Sequence, residues 1–112
     1  MIKRGDIFYA RLDKGVGSEQ TGCRPVIIVQ NNIGNLYSGT VIVIPVTSAA
    51  KRPMPTHVNL GCEYGLFRES SALAEQIMTF DKHRLGEYIG TVDDMKMTEI
   101  DEALKASLGI DY

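Results

Sequence analysis

The sequence predicts a small, mainly β barrel that is followed by a C-terminal α-helix. Three observations support this prediction: several short apolar segments of strand length, turn residues between them, and a single long segment with helical periodicity. Small closed or half-open barrels suit this order of elements because closure removes exposed sheet edges. The length of 112 residues suits one domain, which we expect to span residues 1–112.

Six segments are predicted to be strands because they are rich in β-branched and aromatic residues or alternate between polar and apolar. In chain order they span residues 6–12, 26–31, 40–47, 56–60, 70–80 and 88–92. The second is too apolar for a one-sided sheet, so both of its faces should be buried. Pro45 in the third lacks an N–H for the ladder, which predicts an edge strand or a bulge. In the fifth, Leu73, Glu75 and Ile77 are predicted to share one face.

The connections and the last element follow from turn and helix signals. A polar segment with three glycines at 13–22 predicts a long loop, and ordered loops of this length are often functional. Short helical turns are expected at 32–38 and 81–85. A longer helix is predicted after Thr91 or Asp93 and should end at a Gly109 cap. Its apolar stripe recurs at spacings of three and four and comprises Met97, Ile100, Leu104 and Leu108.

Composition and charge exclude several classes of protein. Hydrophobic residues make up 44% of the chain and charged residues 23%, which disfavours disorder, collagen and coiled coil. The sequence has no apolar run near the roughly 20 residues of a membrane helix, and its start lacks signal-peptide features, so a soluble cytoplasmic protein is expected. The net charge of −2 is uneven: residues 1–68 carry +4 and residues 93–112 carry −4. The basic part can attract a polyanion locally.

The cysteines and histidines do not predict a metal site or a disulfide. Cys23 and Cys62 lie outside any C-x-x-C pair, and His57 and His83 lack the spacing of zinc ligands. Two free thiols in a reducing compartment are expected. Nothing in the sequence brings the two histidines together, so neither is predicted to be catalytic.

The segment Gly-Ser-Glu-Gln-Thr-Gly-Cys-Arg-Pro-Val-Ile-Ile-Val-Gln-Asn at 17–31 resembles the loop and second strand of the MazF/PemK family of toxin endoribonucleases. Agreement continues in order at 3–7, 55–58, 74–77 and 81–85, so the resemblance covers nearly the whole chain. It implies a homodimeric SH3-like barrel of five to six strands with a C-terminal helix. It also implies a toxin that cuts single-stranded RNA without a metal or other cofactor and is held inactive by a cognate, MazE-like antitoxin.

In that family the ribose 2′-hydroxyl attacks the adjacent phosphate and leaves a 2′,3′-cyclic phosphate and a 5′-hydroxyl. The matching positions here are Arg24 and Thr47. Arg24 supplies a planar donor fork for phosphate charge, and Thr47 can hydrogen-bond the 2′-hydroxyl or a phosphate oxygen. Glu19 in the loop has the chemistry to assist as a base. The structural alternatives are a strand entrance set by Arg24 and Pro25, an ordinary strand threonine, and a solvated loop charge.

Nine further residues are expected to bind RNA. Glu75 and Gln76 interrupt an apolar run, which predicts either recognition of base edges or an internal hydrogen bond. Asn31 and Asn32 follow an apolar strand in the same way, and two basic loop residues are expected to contact phosphates. The full set is Ser18, Gln20, Asn31, Asn32, Ser48, Lys51, Arg52, Glu75 and Gln76.

The predicted RNA cleft lies near the dimer interface, between the loops at 13–23 and 48–55, and an acidic, apolar antitoxin segment should compete there. Two other functions remain open at this stage. The same barrel could be a non-catalytic module that binds nucleic acid or peptide. It could also resemble the neighbouring group of barrel toxins that bind DNA gyrase through C-terminal residues, in which case Arg24 and Thr47 would be structural.

Overall fold

The computed structural model describes residues 1–12, 17, 19, 22–49 and 52–110, and the structural statements below concern these residues. They form a mainly β fold that ends in a helix, as predicted, although with seven strands where five to six were expected. The elements are β1 (Asp6–Leu12), β2 (Gly22–Ile28), α1 (Asn32–Tyr37), β3 (Thr40–Thr47), β4 (His57–Gly61), β5 (Ser70–Leu73), β6 (Met78–Asp81), β7 (Leu85–Thr91) and α2 (Asp94–Leu108).

The strands form one antiparallel sheet in the order β4-β5-β3-β2-β1-β7, and β6 also pairs with β3. β3 changes partner along its length: residues 40–43 pair with β6, and Val46 and Thr47 pair with β5. The predicted edge position of Pro45 is wrong, because β3 pairs on both sides. Pro45 lies opposite Val26 of β2, between the end of one ladder and the start of the other. The missing N–H therefore falls where the strand changes partner.

The predicted single strand at 70–80 is wrong in its middle. A 3₁₀ turn at Ala74–Gln76 separates β5 from β6, so Leu73, Glu75 and Ile77 do not share one strand face. Ala74 is fully buried, and its N–H donates to the Thr56 carbonyl at 2.9 Å. The turn lets the chain leave one half of β3 and pair with the other.

Two hydrophobic clusters lie on opposite faces of the central sheet. Along β2, Val26 and Ile28 contribute to one cluster and Ile27 to the other, and all three are 0% exposed. This confirms that the second predicted strand is buried on both faces. β2 is therefore the central strand of the core.

Helix α2 covers the Ile27 side of the sheet. Its N-terminus is capped by Asp93, whose Oδ1 accepts from Lys96 N at 2.8 Å, and Gly109 ends it in the left-handed conformation. Ile100 is fully buried, but the predicted stripe is wrong at Leu108, which is 54% exposed. Ala103 is buried instead, because the helix extends beyond the sheet at its last turn. No helix in the described part of the chain is long and apolar enough to span a membrane.

The turn after β4 brings the far end of the sheet onto β7 and curls the sheet into a half-open barrel. A Cβ added to Gly90 would lie well within 3.0 Å of the Tyr64 carbonyl oxygen. A Cβ added to Gly65 would likewise lie within 3.0 Å of the Ile89 carbonyl oxygen. The Tyr64 hydroxyl donates to Asp93 Oδ2 at 3.0 Å. Burial and the Asp93 carboxylate raise the pKa of Tyr64 to about 12. This contact fixes the 62–69 segment against the barrel.

Candidate functional site

A groove of about 500 Å³ lies where β1, β2 and the end of β3 meet the segment between β4 and β5. Its lining includes two arginines, Arg24 and Arg68, together with Tyr9, Ser48 and Phe67. Among the described lining residues there is no carboxylate. A concave surface with this charge favours an anionic ligand.

The two predicted catalytic positions lie on adjacent strands. Arg24 in β2 is half-buried and pairs with Ala10 of β1. Val26 of β2 pairs with Pro45 of β3 in the last pair of the ladder between these strands, and Arg24 and Thr47 each lie two residues beyond it. The fold thus brings together two positions that are far apart in the sequence.

Thr47 is nearly enclosed by the protein. It is 2% exposed, and its Oγ1 accepts a hydrogen bond from Ala49 N at 3.1 Å. A hydroxyl has one proton to donate in addition to its acceptor sites, so Thr47 Oγ1 can still donate a hydrogen bond while it accepts from Ala49 N. Thr47 does not line this groove, although its neighbours Val46 and Ser48 do. Its visible structural effect is to shape the turn that holds Ser48.

Two residues that the sequence did not indicate extend this row of polar positions. Thr47 pairs with Ser71 of β5, and Ser71 pairs with Asn59 of β4. A second groove, of about 390 Å³, is lined by Ser48, Asn59 and Ser71 together with His57. Ser48 lines both grooves, so they adjoin. The alternation of β4 could have placed Asn59 on a polar face, but its pairing with β5 has no sequence signal.

Glu75 has an internal partner. His57 Nε2 donates to Glu75 Oε2 at 2.9 Å, and the two side chains are 10% and 32% exposed. Burial acts to raise the pKa of Glu75, but hydrogen bonds from His57 and the backbone outweigh it and hold that pKa below its ordinary value of 4.5. This is the internal hydrogen bond that the sequence left as an alternative. It also fixes His57 at the rim of the second groove.

Replacing Glu75 by glutamine should lower the stability of the protein at neutral pH. Because its folded pKa is depressed, the carboxylate stabilises the fold above its unfolded pKa and loses this effect as the pH falls through the folded pKa. The pair is partly exposed, so the loss should stay below about 1 kcal/mol. Thermal melts of both proteins from neutral to acidic pH provide the measurement. A difference that is the same at every pH would contradict this role of the charge.

Asn31 and Asn32 have structural contacts at the start of α1. Asn31 Oδ1 accepts from Gly34 N at 2.8 Å and caps the helix. Asn32 Oδ1 accepts from Arg4 N at 2.7 Å, which fixes the beginning of the chain. The predicted contact of these side chains with RNA stays a prediction.

Among the remaining predicted residues that the structure describes, Ser48 lines both grooves. Ser48 and Arg52 are exposed, Glu19 is exposed, and Gln76 is half-buried in the 3₁₀ turn. Ser18, Gln20 and Lys51 lie outside the described residues. Cys23 and Cys62 are free and exposed, as predicted. In the described part of the chain, no three His, Cys, Asp or Glu side chains form a group that could hold a metal ion.

This fold is shared with a class of toxins. The model of the PemK-like, MazF-like toxins of type II toxin–antitoxin systems matches residues 3–108. The chain belongs to this toxin family.

Individual relatives agree with the assignment. The chain is 47% identical over 112 residues to "Endoribonuclease EndoA" of Bacillus subtilis (strain 168), with 98% of this chain and 97% of that protein covered. An endoribonuclease solved with its cognate antitoxin from a mycobacterial species has a TM-score of 0.84, 29% identity and coverage of 100% and 99% of the two chains. MazF from Deinococcus radiodurans has a TM-score of 0.83 and 26% identity, and 96% of each chain is covered.

Proposed function

We propose that this chain is a type II toxin that acts in the cytoplasm as a sequence-selective endoribonuclease on single-stranded RNA, and that it thereby inhibits translation and growth. The observation that carries the proposal is the groove lined by Arg24 and Arg68, with Thr47 on the adjacent strand between the lining residues Val46 and Ser48. Relatives named as endoribonucleases support the substrate class. We treat residues 1–112 as a single functional domain.

The proposed reaction needs no metal or other cofactor. The ribose 2′-oxygen forms a bond to the adjacent phosphorus while the bond to the 5′-oxygen breaks, which gives a 2′,3′-cyclic phosphate and a 5′-hydroxyl. A base must take the 2′-proton, charge on the phosphorane must be stabilised, and the departing 5′-oxygen must take up a proton from water. Arg24 supplies the second role, because a guanidinium stays protonated and donates in a fork that matches phosphate oxygens. Glu19 is the proposed base.

Thr47 is proposed to act at the same phosphate. Its hydroxyl accepts from Ala49 N and keeps a proton for the 2′-oxygen or a phosphate oxygen. Because the residue is 2% exposed and lines neither groove, this contact requires the hydroxyl to become accessible when RNA binds. The same hydrogen bond positions the turn at Ser48.

The other residues predicted from the sequence are proposed to bind RNA on either side of the cut. Basic loop residues hold phosphates, and amide, hydroxyl and carboxylate groups recognise base edges. Ser71 and Asn59 join this group because they continue the row that starts at Arg24 and Thr47. The residues carried from the sequence are Ser18, Gln20, Asn31, Asn32, Ser48, Lys51, Arg52, Glu75 and Gln76.

The proposed partners are a second copy of the chain and a cognate antitoxin. Helix α1 exposes Ile33, Leu36 and Tyr37 at 75%, 53% and 80%, an apolar face that a second copy would cover. A mycobacterial relative was solved with its cognate antitoxin, and a MazE–MazF complex is known from Deinococcus radiodurans. An acidic antitoxin segment would compete with RNA for the guanidinium groups of the groove.

The proposed activity is tested by incubating the purified protein with a long single-stranded RNA in the presence of EDTA and mapping the cut ends. Cuts should recur at one short sequence and end in 2′,3′-cyclic phosphates. Circular dichroism establishes that the protein is folded under the same conditions. Intact RNA after incubation with folded protein would exclude this reaction and favour a binding module or a gyrase-directed toxin.

A further inference from the structure

Phe67 is presented to solvent from a segment that is otherwise well anchored. Its side chain is 90% exposed, while its neighbour Leu66 is 6% exposed within the core. On the other side, the Arg68 carbonyl accepts from Ser70 Oγ at 2.7 Å. The contact of Tyr64 with Asp93 secures the start of the segment. The exposed ring of Phe67 therefore lies in a segment that is anchored on both sides.

The other two phenylalanines of the chain already pack against side chains of the protein. Phe8 packs edge-to-face on Tyr88 with ring centroids 5.6 Å apart. Phe80 is 5% exposed, and the Arg84 guanidinium lies 4.7 Å above its ring. Phe67 is thus the phenylalanine that can offer its ring to a ligand.

The surroundings of Phe67 define the chemistry of that ligand. The ring lines the same groove as Arg24 and Arg68, whose described lining contains no carboxylate. Single-stranded nucleic acid presents alternating flat bases and phosphates, and proteins bind it with aromatic platforms next to basic groups. A ligand that brings one aromatic ring and one or two negative charges therefore fits this part of the groove.

We propose that Phe67 is a stacking platform for one base of the RNA substrate, next to the cut, and that Arg68 binds the phosphate beside that base. This subsite rests on the proposed function and adds a specificity-determining residue to it. Stacking selects by ring area and not by hydrogen bonding, so Phe67 contributes affinity and a preference for larger bases at its position. Arg68 contributes to affinity for any sequence.

The test uses an RNA oligonucleotide that contains a mapped cut sequence, with 2′-O-methyl ribose at the attacking position so that it binds but is not cut. Phe67→Ala should weaken its binding by about tenfold. Removing the base at one position, as an abasic nucleotide, should weaken binding to the wild type by a similar factor. The two changes together should cost no more than either alone, because they remove the same contact. Phe67→Trp should bind as the wild type does.

A matched control is Met95→Ala, which removes another side chain that is 82% exposed but lies on α2. It should leave binding unchanged. Arg68→Gln should reduce the slope of log K against log salt by about 0.7, the value for one phosphate of a single strand. These variants change exposed residues, so thermal melting should not move.

Unchanged RNA binding by Phe67→Ala would overturn the stacking platform. It would also be overturned if, at every position tested, the loss of affinity from the abasic nucleotide added to the loss from Phe67→Ala. If that variant binds RNA normally but escapes inhibition by the cognate antitoxin, the ring contacts a protein partner, and the subsite is also overturned. In both cases continued cutting of RNA by the wild type would leave the proposed function intact. Failure of the wild type to cut RNA would instead contradict the proposed function itself.

Discussion

Replacing Arg24 by alanine is expected to leave a folded protein whose rate of RNA cleavage is lower by at least about 10²-fold. Arg24 is half-buried near the start of β2 and lines the groove. A donor fixed by the sheet before the reaction stabilises the phosphorane without reorganisation, which is why its loss affects the rate so strongly. Single-turnover cleavage of a labelled RNA with one mapped cut measures this effect.

Two further variants separate the geometry of Arg24 from its charge. Arg24→Lys keeps the positive charge but loses the planar fork, so it should recover only part of the lost rate. Arg11→Ala is the matched control, because Arg11 is an exposed arginine of β1 that does not line the groove. Its rate should stay close to that of the wild type. A folded Arg24→Ala protein with an unchanged rate would exclude Arg24 from the mechanism.

The sequence correctly predicts those elements that are determined by residues close together in the chain. β1 and β3 have the predicted bounds, and α2 is capped by Asp93 and Gly109 as expected. Strand propensity, capping residues and helical spacing act over a few residues, so each can be recognised without knowledge of the partner elements. The double burial of β2 was also visible, because its run of β-branched residues has no polar face.

The errors arise where a distant contact decides the structure. The 3₁₀ turn at Ala74–Gln76 exists because β3 changes partner, and nothing within 70–80 indicates this. The same turn brings Glu75 to His57, which lies 18 positions away in the sequence. Leu108 fits the helical stripe by spacing, but the helix has passed the edge of the core there.

The candidate site also combines features that the sequence indicates with features that depend on distant contacts. Arg24 and Thr47 were indicated by family resemblance, and the folded chain places them on adjacent strands, each two residues beyond the last pair of the β2–β3 ladder. Ser71 and Phe67 were not indicated, since a serine in a strand and a phenylalanine in a turn have many ordinary explanations. Their relevance comes from cross-strand pairing and from exposure, which are properties of the folded chain.

Replacing Gly90 by alanine is expected to destabilise the protein by about 3 kcal/mol, the upper end for overpacking. A Cβ at this position would overlap the Tyr64 carbonyl oxygen, which is backbone and cannot change rotamer to escape. The turn after β4 would have to leave β7, and the hydrogen bond from Tyr64 to Asp93 would be strained with it. A fall in melting temperature of roughly 10 °C is expected by calorimetry.

Gly39→Ala is the control for the general effect of replacing a glycine. No atom lies within 4 Å of the Cβ that it would add, so stability should stay the same or rise slightly through a less flexible unfolded chain. If Gly90→Ala melted like Gly39→Ala, the close contact between the turn and β7 would not hold the barrel together. The turn that meets β7 continues into Leu66 and Phe67, so loosening it should also disturb the groove. We therefore expect RNA binding by Gly90→Ala to weaken at temperatures where the protein is still folded, because one segment both closes the barrel and forms a wall of the site.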